Sequence, residues 1–299
     1  MFIDRNKLNN YSIDLGDTKV LWHHYTPIIV PEELTLTEER YLLASQQTLF
    51  CGNTSVDNIL KSQFDDYEDK VTTSLKKHAK GLGFKKVNLV SKTLKQAKII
   101  YNSVYDSMTK IDFSNSSESN YVCEIIFKRL HSSFKACRFL IKYGYYFETY
   151  AIQRQILEQI AFAYHVSNNK TYVDYNSPPT CVTELKKFYP KVGPFYGQLS
   201  NRTHIDKTQI MLCTISDENN NYQTILNSLD FSLDTLYDYI RLLDIYCCTY
   251  EYCFRDIFDS NKSLSFITRQ NKLRTKRASA ILGEQYRKKY KSILEEEHA

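Results

Sequence analysis

Chain-reversing residues are the scarcest resource in this sequence: eight glycines and six prolines serve 299 positions. An all-β protein needs turn chemistry about every 8–12 residues, and this supply cannot meet that demand. Long helices joined by short polar connections are the architecture that so few breakers permit. Hydrophobic residues make up 42% and charged residues 24%, which is enough apolar surface for a sizeable core and unlike a disordered chain. The length suits one large domain or two ordinary ones, at roughly 100–200 residues each.

Apolar periodicity and punctuation then divide the chain. Residues 1–34 read as an N-terminal arm, irregular or in short strands, ending at Pro27 and Pro31. A helix is expected from Thr35 or Thr37, where Thr35 with Glu38 fits a capping box, to the break at Gly52-Asn53. A second covers 55–79 and stops at a Gly81–Gly83 turn; a third, 88–111, carries Leu94, Ala97, Tyr101, Val104, Tyr105 and Met108 at helical spacing. Segments 120–142 and 145–168 are separated by Gly144 alone, which favours an antiparallel hairpin. Pro178 opens a short helix to Tyr189, and another begins near Phe195. A polar loop over 215–224, a long helix over 226–258 and a final helix from about 271 complete the reading. The expected fold is all-α: a multi-helix bundle over 35–260, preceded by the irregular arm and followed by a separate basic helical tail over 261–299.

Twenty-four tyrosines and sixteen phenylalanines serve as core filler or, on a surface, as a stacking platform for bases. The eight cysteines form no C-x-x-C pair. Cys247, Cys248 and Cys253 fall within two helical turns, but no His or Cys pair at zinc spacing faces them. Reduced structural thiols are expected, with no metal and no cofactor. The polar N-terminus and the lack of any run of about 18 apolar residues point to a cytoplasmic protein without a membrane partner. Phosphate-binding G-x4-G-K-S/T, a glycine-rich turn after a strand, G-x-S-x-G and H-E-x-x-H are all missing, which disfavours most familiar enzyme classes.

Charge is unevenly placed. Residues 262–291 hold ten Lys or Arg against Glu284 alone, and residues 70–98 hold nine Lys and no acid. Each segment carries +9, so taking both from the total of +5 leaves the remainder at −13. Cationic segments release counterions when they neutralise polyphosphates, which makes RNA or DNA a natural partner. A solvated helix face, an acidic partner protein or the chain's own acidic body are the alternatives. The tail residues singled out for nucleic-acid contact are Lys272, Arg274, Lys276, Arg277, Arg287, Lys288, Lys289 and Lys291. Self-association is left open.

Segment 145–168 is apolar around most of its circumference and so reads as a central helix. Arg154 and Glu158 continue a line through Tyr150, Ala151, Leu157 and Ala161 and are expected to face the core one turn apart. Buried charges need a partner, so the two either lock helices together or line a cleft. In a second cluster, Tyr196, Ser200 and His204 fall at i, i+4 and i+8 of one expected helix. Together these are the candidate catalytic residues.

The stretch RFLIKYGYYFETYAIQRQILEQIAFAYHV followed by YGQLSNRTHID resembles a bacterial helical family with Arg-x3-Glu on one apolar helix and Tyr-x2-Leu-Ser-x3-His on another. The matching positions are Arg154, Glu158, Tyr196, Leu199, Ser200 and His204, within roughly 125–206. Such bundles are similar in outline to the HEPN superfamily of toxin and phage-defence RNases, which implies metal-independent RNA cleavage in a stress or phage-defence setting. The HEPN spacing of Arg and His on one helix is absent here: Arg202 and His204 are too close, and Arg154 and His165 too far apart. An Arg154–His204 pair between helices is the substitute. Three functions are therefore carried forward: a nucleic-acid or acidic-partner binder, an endoribonuclease using Arg154 for charge and His204 for proton transfer, and an assembly component with no activity of its own.

Overall fold

The computed structural model describes residues 18–23, 26–31, 73, 79–113, 116–169, 177–204, 206–216, 222–225, 227–258 and 264–298. The chain divides into two compact units, 1–78 and 79–299. In the first, β1 (Thr18–His23) and β2 (Thr26–Pro31) pair antiparallel, Thr18 opposite Pro31 and His23 opposite Thr26. The prolines expected to end the arm lie inside β2. They are four residues apart and so share one side of the strand, and a two-stranded ladder leaves such a side open. The arm boundary at 34 and the helix from Thr35 fall outside the described residues. The helix expected over 55–79 is described only at Thr73, which is helical, and Ala79, which is not.

The second unit is an all-α bundle of eight helices among the described residues. Helix α1 (Gly81–Met108) starts earlier than expected, with both glycines in its first turn, where backbone N–H groups have no intrahelical partner to lose. Helix α2 (Glu118–Tyr143) is capped by Ser117, whose hydroxyl accepts from the Asn120 N–H at 3.3 Å. It ends at Gly144 with φ 72°, where the Gly144 and Tyr145 N–H groups close onto Ile141 and Leu140. A Cβ at Gly144 would lie 2.0 Å from the Ser228 carbonyl oxygen, so only glycine fits this joint. The chain then reverses into α3 (Tyr146–Asn168), giving the expected antiparallel hairpin.

Helices α4 (Pro178–Phe188) and α5 (Val192–Thr203) follow. Pro194 was expected to precede α5 but sits in its first turn, which lacks nothing that proline removes. The expected polar loop over 215–224 is partly ordered. After α6 (Lys207–Leu212), strands β3 (Thr214–Ser216) and β4 (Tyr222–Thr224) form a small hairpin. Helix α7 (Leu229–Phe254) is capped by Ser228 and is buried around nearly its whole circumference, which marks it as the central helix. It ends before 258.

The tail is where the structure departs most from expectation. Residues 264–277 form turns and α8 (Ala278–Glu297) follows. Ser279, Leu282, Tyr286 and Ile293 are buried and pack α8 between α1 and α7. Residues 264–298 therefore belong to the bundle and are no separate tail: a face repeating every three, four and seven residues lies hidden among their charges. The seven cysteines described are all buried, and among the described residues no cluster of His, Cys, Asp or Glu could hold a metal ion. No described helix is long and apolar enough to cross a membrane.

Candidate functional site

Helices α3 and α5 bring Arg154, Glu158 and Tyr196 together. Arg154 Nε donates to Glu158 Oε1 at 3.0 Å, and the Tyr196 hydroxyl donates to the same oxygen at 3.0 Å. Arg154 also reaches Thr203 Oγ1 at 3.3 Å and lies 5.6 Å from the Tyr196 ring centroid. Burial works against the Arg154 charge, but Tyr196 and Glu158 outweigh it and raise the pKa. The pair does not face the core as expected. Ala151 is exposed and the Arg154 and Glu158 side chains are 32% and 24% accessible, so the stripe runs along the shoulder of α3. A pair this wet contributes a few tenths of a kcal/mol, about the value for exposed ion pairs.

The Ser200 hydroxyl and His204 do not join this network. Helix α5 ends at Thr203, and His204 turns to extended backbone (φ −88°, ψ 127°) as an exposed cap. The i, i+4, i+8 alignment with Tyr196 is therefore broken at its last member. Ser200 takes part through its backbone oxygen, which accepts from Thr203 Oγ1.

The buried carboxylates among the described residues lie instead on α7. Asp238, 2% exposed, accepts from Arg202 at 2.7 Å, Arg241 at 3.1 Å and Gln198 at 3.3 Å. Arg202 also donates to the Tyr150 hydroxyl and stacks 4.7 Å over that ring. Burial raises the Asp238 pKa in spite of the two guanidiniums, which pull it down. Asp244 receives Arg277 through Nε and Nη2, both at 2.6 Å, with Ser279 Oγ at 2.5 Å and the Tyr189 hydroxyl at 2.6 Å. Glu251 accepts three backbone N–H groups, from Ser265, Phe266 and Ile267, at 2.6, 2.7 and 2.9 Å. These three acids escaped the sequence reading, although a carboxylate within so apolar a helix is itself a signal that a partner must dock there.

The eight tail cations separate accordingly. Arg277 is taken by Asp244, and Arg274 Nε donates to the Ile267 carbonyl at 3.0 Å. Lys272 and Lys276 are exposed, as are Arg287, Lys288, Lys289 and Lys291 on α8. Lys291 has only a long 3.5 Å contact with Glu295.

Helices α1 and α8 run antiparallel, and their ends are tied by charge. Lys85 pairs with Glu296 at 2.5 Å, and Lys86 with Glu297 and Asp230, both at 2.8 Å. Burial lowers the Lys86 pKa, but its two carboxylate partners raise it further. Seven residues inward from Lys85 is Lys92, and seven inward from Glu296 is Lys289; both are exposed. Seven residues is nearly two full turns, so the two lysines stand at one level on the same sides of their helices. The register that begins with opposite charges thus carries a lysine on each helix two turns on, and Arg287, Lys288 and Lys291 are exposed on other parts of the α8 surface. Comparison with protein-family models, characterised proteins and solved structures finds no match to this chain.

Proposed function

We propose that the protein binds nucleic acid, RNA or DNA, along the cationic ridge of α1 and α8. What supports this reading is the helical register, which carries exposed Lys92 and Lys289 two turns inward from the Lys85–Glu296 pair. Two lysines level with each other destabilise a helix pair by themselves, and a polyanion lying across them removes that repulsion. Arg287, Lys288 and Lys291 add charge on α8, where Glu296 and Glu297 are taken by Lys85 and Lys86, Glu295 contacts Lys291 and Glu284 is exposed. The bacterial stress or phage-defence setting implied by the resemblance is part of the same proposal.

Counterion release sets the test. Five phosphate contacts give a slope of log affinity against log salt of about −3.5 on single strands, roughly a hundredfold loss between 50 and 200 mM. Replacing Lys92 and Lys289 with Gln removes two contacts and should flatten the slope by about 1.4. Equal slopes in both proteins, or no binding to RNA or duplex DNA at low salt, would reject the ridge; an acidic partner protein is then the alternative.

A second reading, a metal-independent endoribonuclease, is favoured by one observation: Arg154, Glu158 and Tyr196 share hydrogen bonds at a solvent-reachable position. It still needs an imidazole, and His204 lies outside that network.

A further inference from the structure

On the opposite stretch of α7 from the ridge, α3, α4, α7 and the 264–277 turns enclose an open hollow of about 460 Å³, within the roughly 300–1,000 Å³ range of small-ligand sites. Tyr164, Phe188 and Tyr252 line it as a cluster of three rings. Tyr164 and Phe188 are stacked with centroids 5.6 Å apart, and Tyr252 lies 4.8 Å from each. Two exposed cations, Lys187 and Lys272, stand at the edge of this aromatic lining. Arg255 adds charge nearby, its guanidinium 4.1 Å over the Tyr252 ring.

The Lys272 side of the hollow is preformed. Glu251 fixes the 265–267 backbone, Thr268 N–H donates to the Lys272 carbonyl at 2.7 Å, and Asn271 N–H donates to Thr268 at 2.9 Å. Asn271, also in the lining, is held at φ 59°, and its Oδ1 is buried without a hydrogen-bond partner. A non-glycine residue kept in this region carries strain of order 1–3 kcal/mol, which persists where surrounding structure imposes it.

Aromatic rings beside two cations match one ligand chemistry: a planar base that carries a phosphate. From this we infer that the hollow takes an unpaired nucleotide of a single strand, whose base stacks on Phe188, the half-buried ring of the cluster beside buried Tyr164 and Tyr252, and whose flanking phosphates meet Lys187 and Lys272. The inference rests on the nucleic-acid reading and gives it a strand preference. Along α7, Tyr252 is eighteen residues from Asp234, the partner of Tyr290 on α8; at 1.5 Å per residue that is about 27 Å. A stacked strand rising about 3.4 Å per nucleotide covers the distance in roughly eight. Strands shorter than this engage the hollow or the ridge but not both.

The test uses the full chain and a twelve-nucleotide uridine RNA carrying one 2-aminopurine, as a single strand and as a duplex with its complement. Binding of the single strand should change the 2-aminopurine fluorescence. Phe188→Leu, which keeps apolar volume but loses the ring, should weaken single-strand binding by about fivefold to a hundredfold, the effect of losing one stacked base. Lys187→Gln with Lys272→Gln, both surface changes, should also weaken it, and duplex affinity should hold in both variants. An unchanged ratio of single-strand to duplex affinity in the lysine variant overturns the hollow and leaves the ridge standing. Adenosine monophosphate binding as tightly as the twelve-nucleotide strand would make this a free-nucleotide site and overturn the strand assignment. If neither form of the RNA binds the unaltered protein, ridge and hollow fall together.

Discussion

Replacing Arg277 by Ala separates a structural cation from a ligand-binding one. The Arg277 and Asp244 side chains are only 13% and 7% accessible, and deleting one partner of a buried pair typically costs about 3–5 kcal/mol. Asp244 keeps the Ser279 and Tyr189 hydroxyls in the variant, so the lower end, about 3 kcal/mol, is expected. In a unit the size of residues 79–299, each kcal/mol moves the melting temperature by about 2–4 °C, for a total drop of about 6–12 °C. Arg277→Lys keeps the charge but loses the two-point contact and should recover about half of that. Thermal melting followed by circular dichroism measures both, and salt titration of RNA binding should give the unaltered slope. A drop below about 2 °C, or weaker RNA binding at an unchanged melting temperature, would refute the assignment of Arg277 to the clamp.

Gly144→Ala should destabilise by about 3 kcal/mol or more, since a left-handed residue and a clash with the Ser228 carbonyl act together; denaturant unfolding reads this directly, and a change under about 1 kcal/mol would contradict the joint. For Asp238 the folded pKa lies above its ordinary 3.8 because burial wins over Arg202 and Arg241. The folded state then holds that proton more tightly than the unfolded chain, so the contribution favours folding below the ordinary value and fades as pH rises through the folded one. Asp238→Asn should flatten the stability curve across that acidic window, and a curve of unchanged shape would deny burial its role. His204→Ala, an exposed cap, should leave stability within about 0.5 kcal/mol and RNA binding unaltered; RNA cleavage by the parent that vanishes in this variant would promote the endoribonuclease reading instead.

Punctuation made the α2–Gly144–α3 hairpin legible, because one glycine between two apolar helices leaves few geometries open. The Arg154–Glu158–Tyr196 contact was also accessible from spacing, but its depth was not: a line that looks apolar in sequence is buried at Tyr150, Leu157 and Ala161 but exposed at Ala151 and half-buried at the two charges. His204 was lost to a helix end that no glycine or proline announces. The C-terminal segment was misjudged because ten cations drown a sparse buried face of Ser279, Leu282, Tyr286 and Ile293. Its docking depends on Asp244 and Glu251, whose partners lie more than a dozen residues away in sequence.

Those two carboxylates on α7 have a practical corollary. Shortening the protein at residue 260, where its composition turns cationic, would strip Asp244 of Arg277 and Ser279 and deprive Glu251 of all three amide donors. Two anions would be left on the innermost helix, Asp244 with only the Tyr189 hydroxyl of the four hydrogen bonds described above. The region most tempting to trim as an appendage is one the bundle needs in order to close.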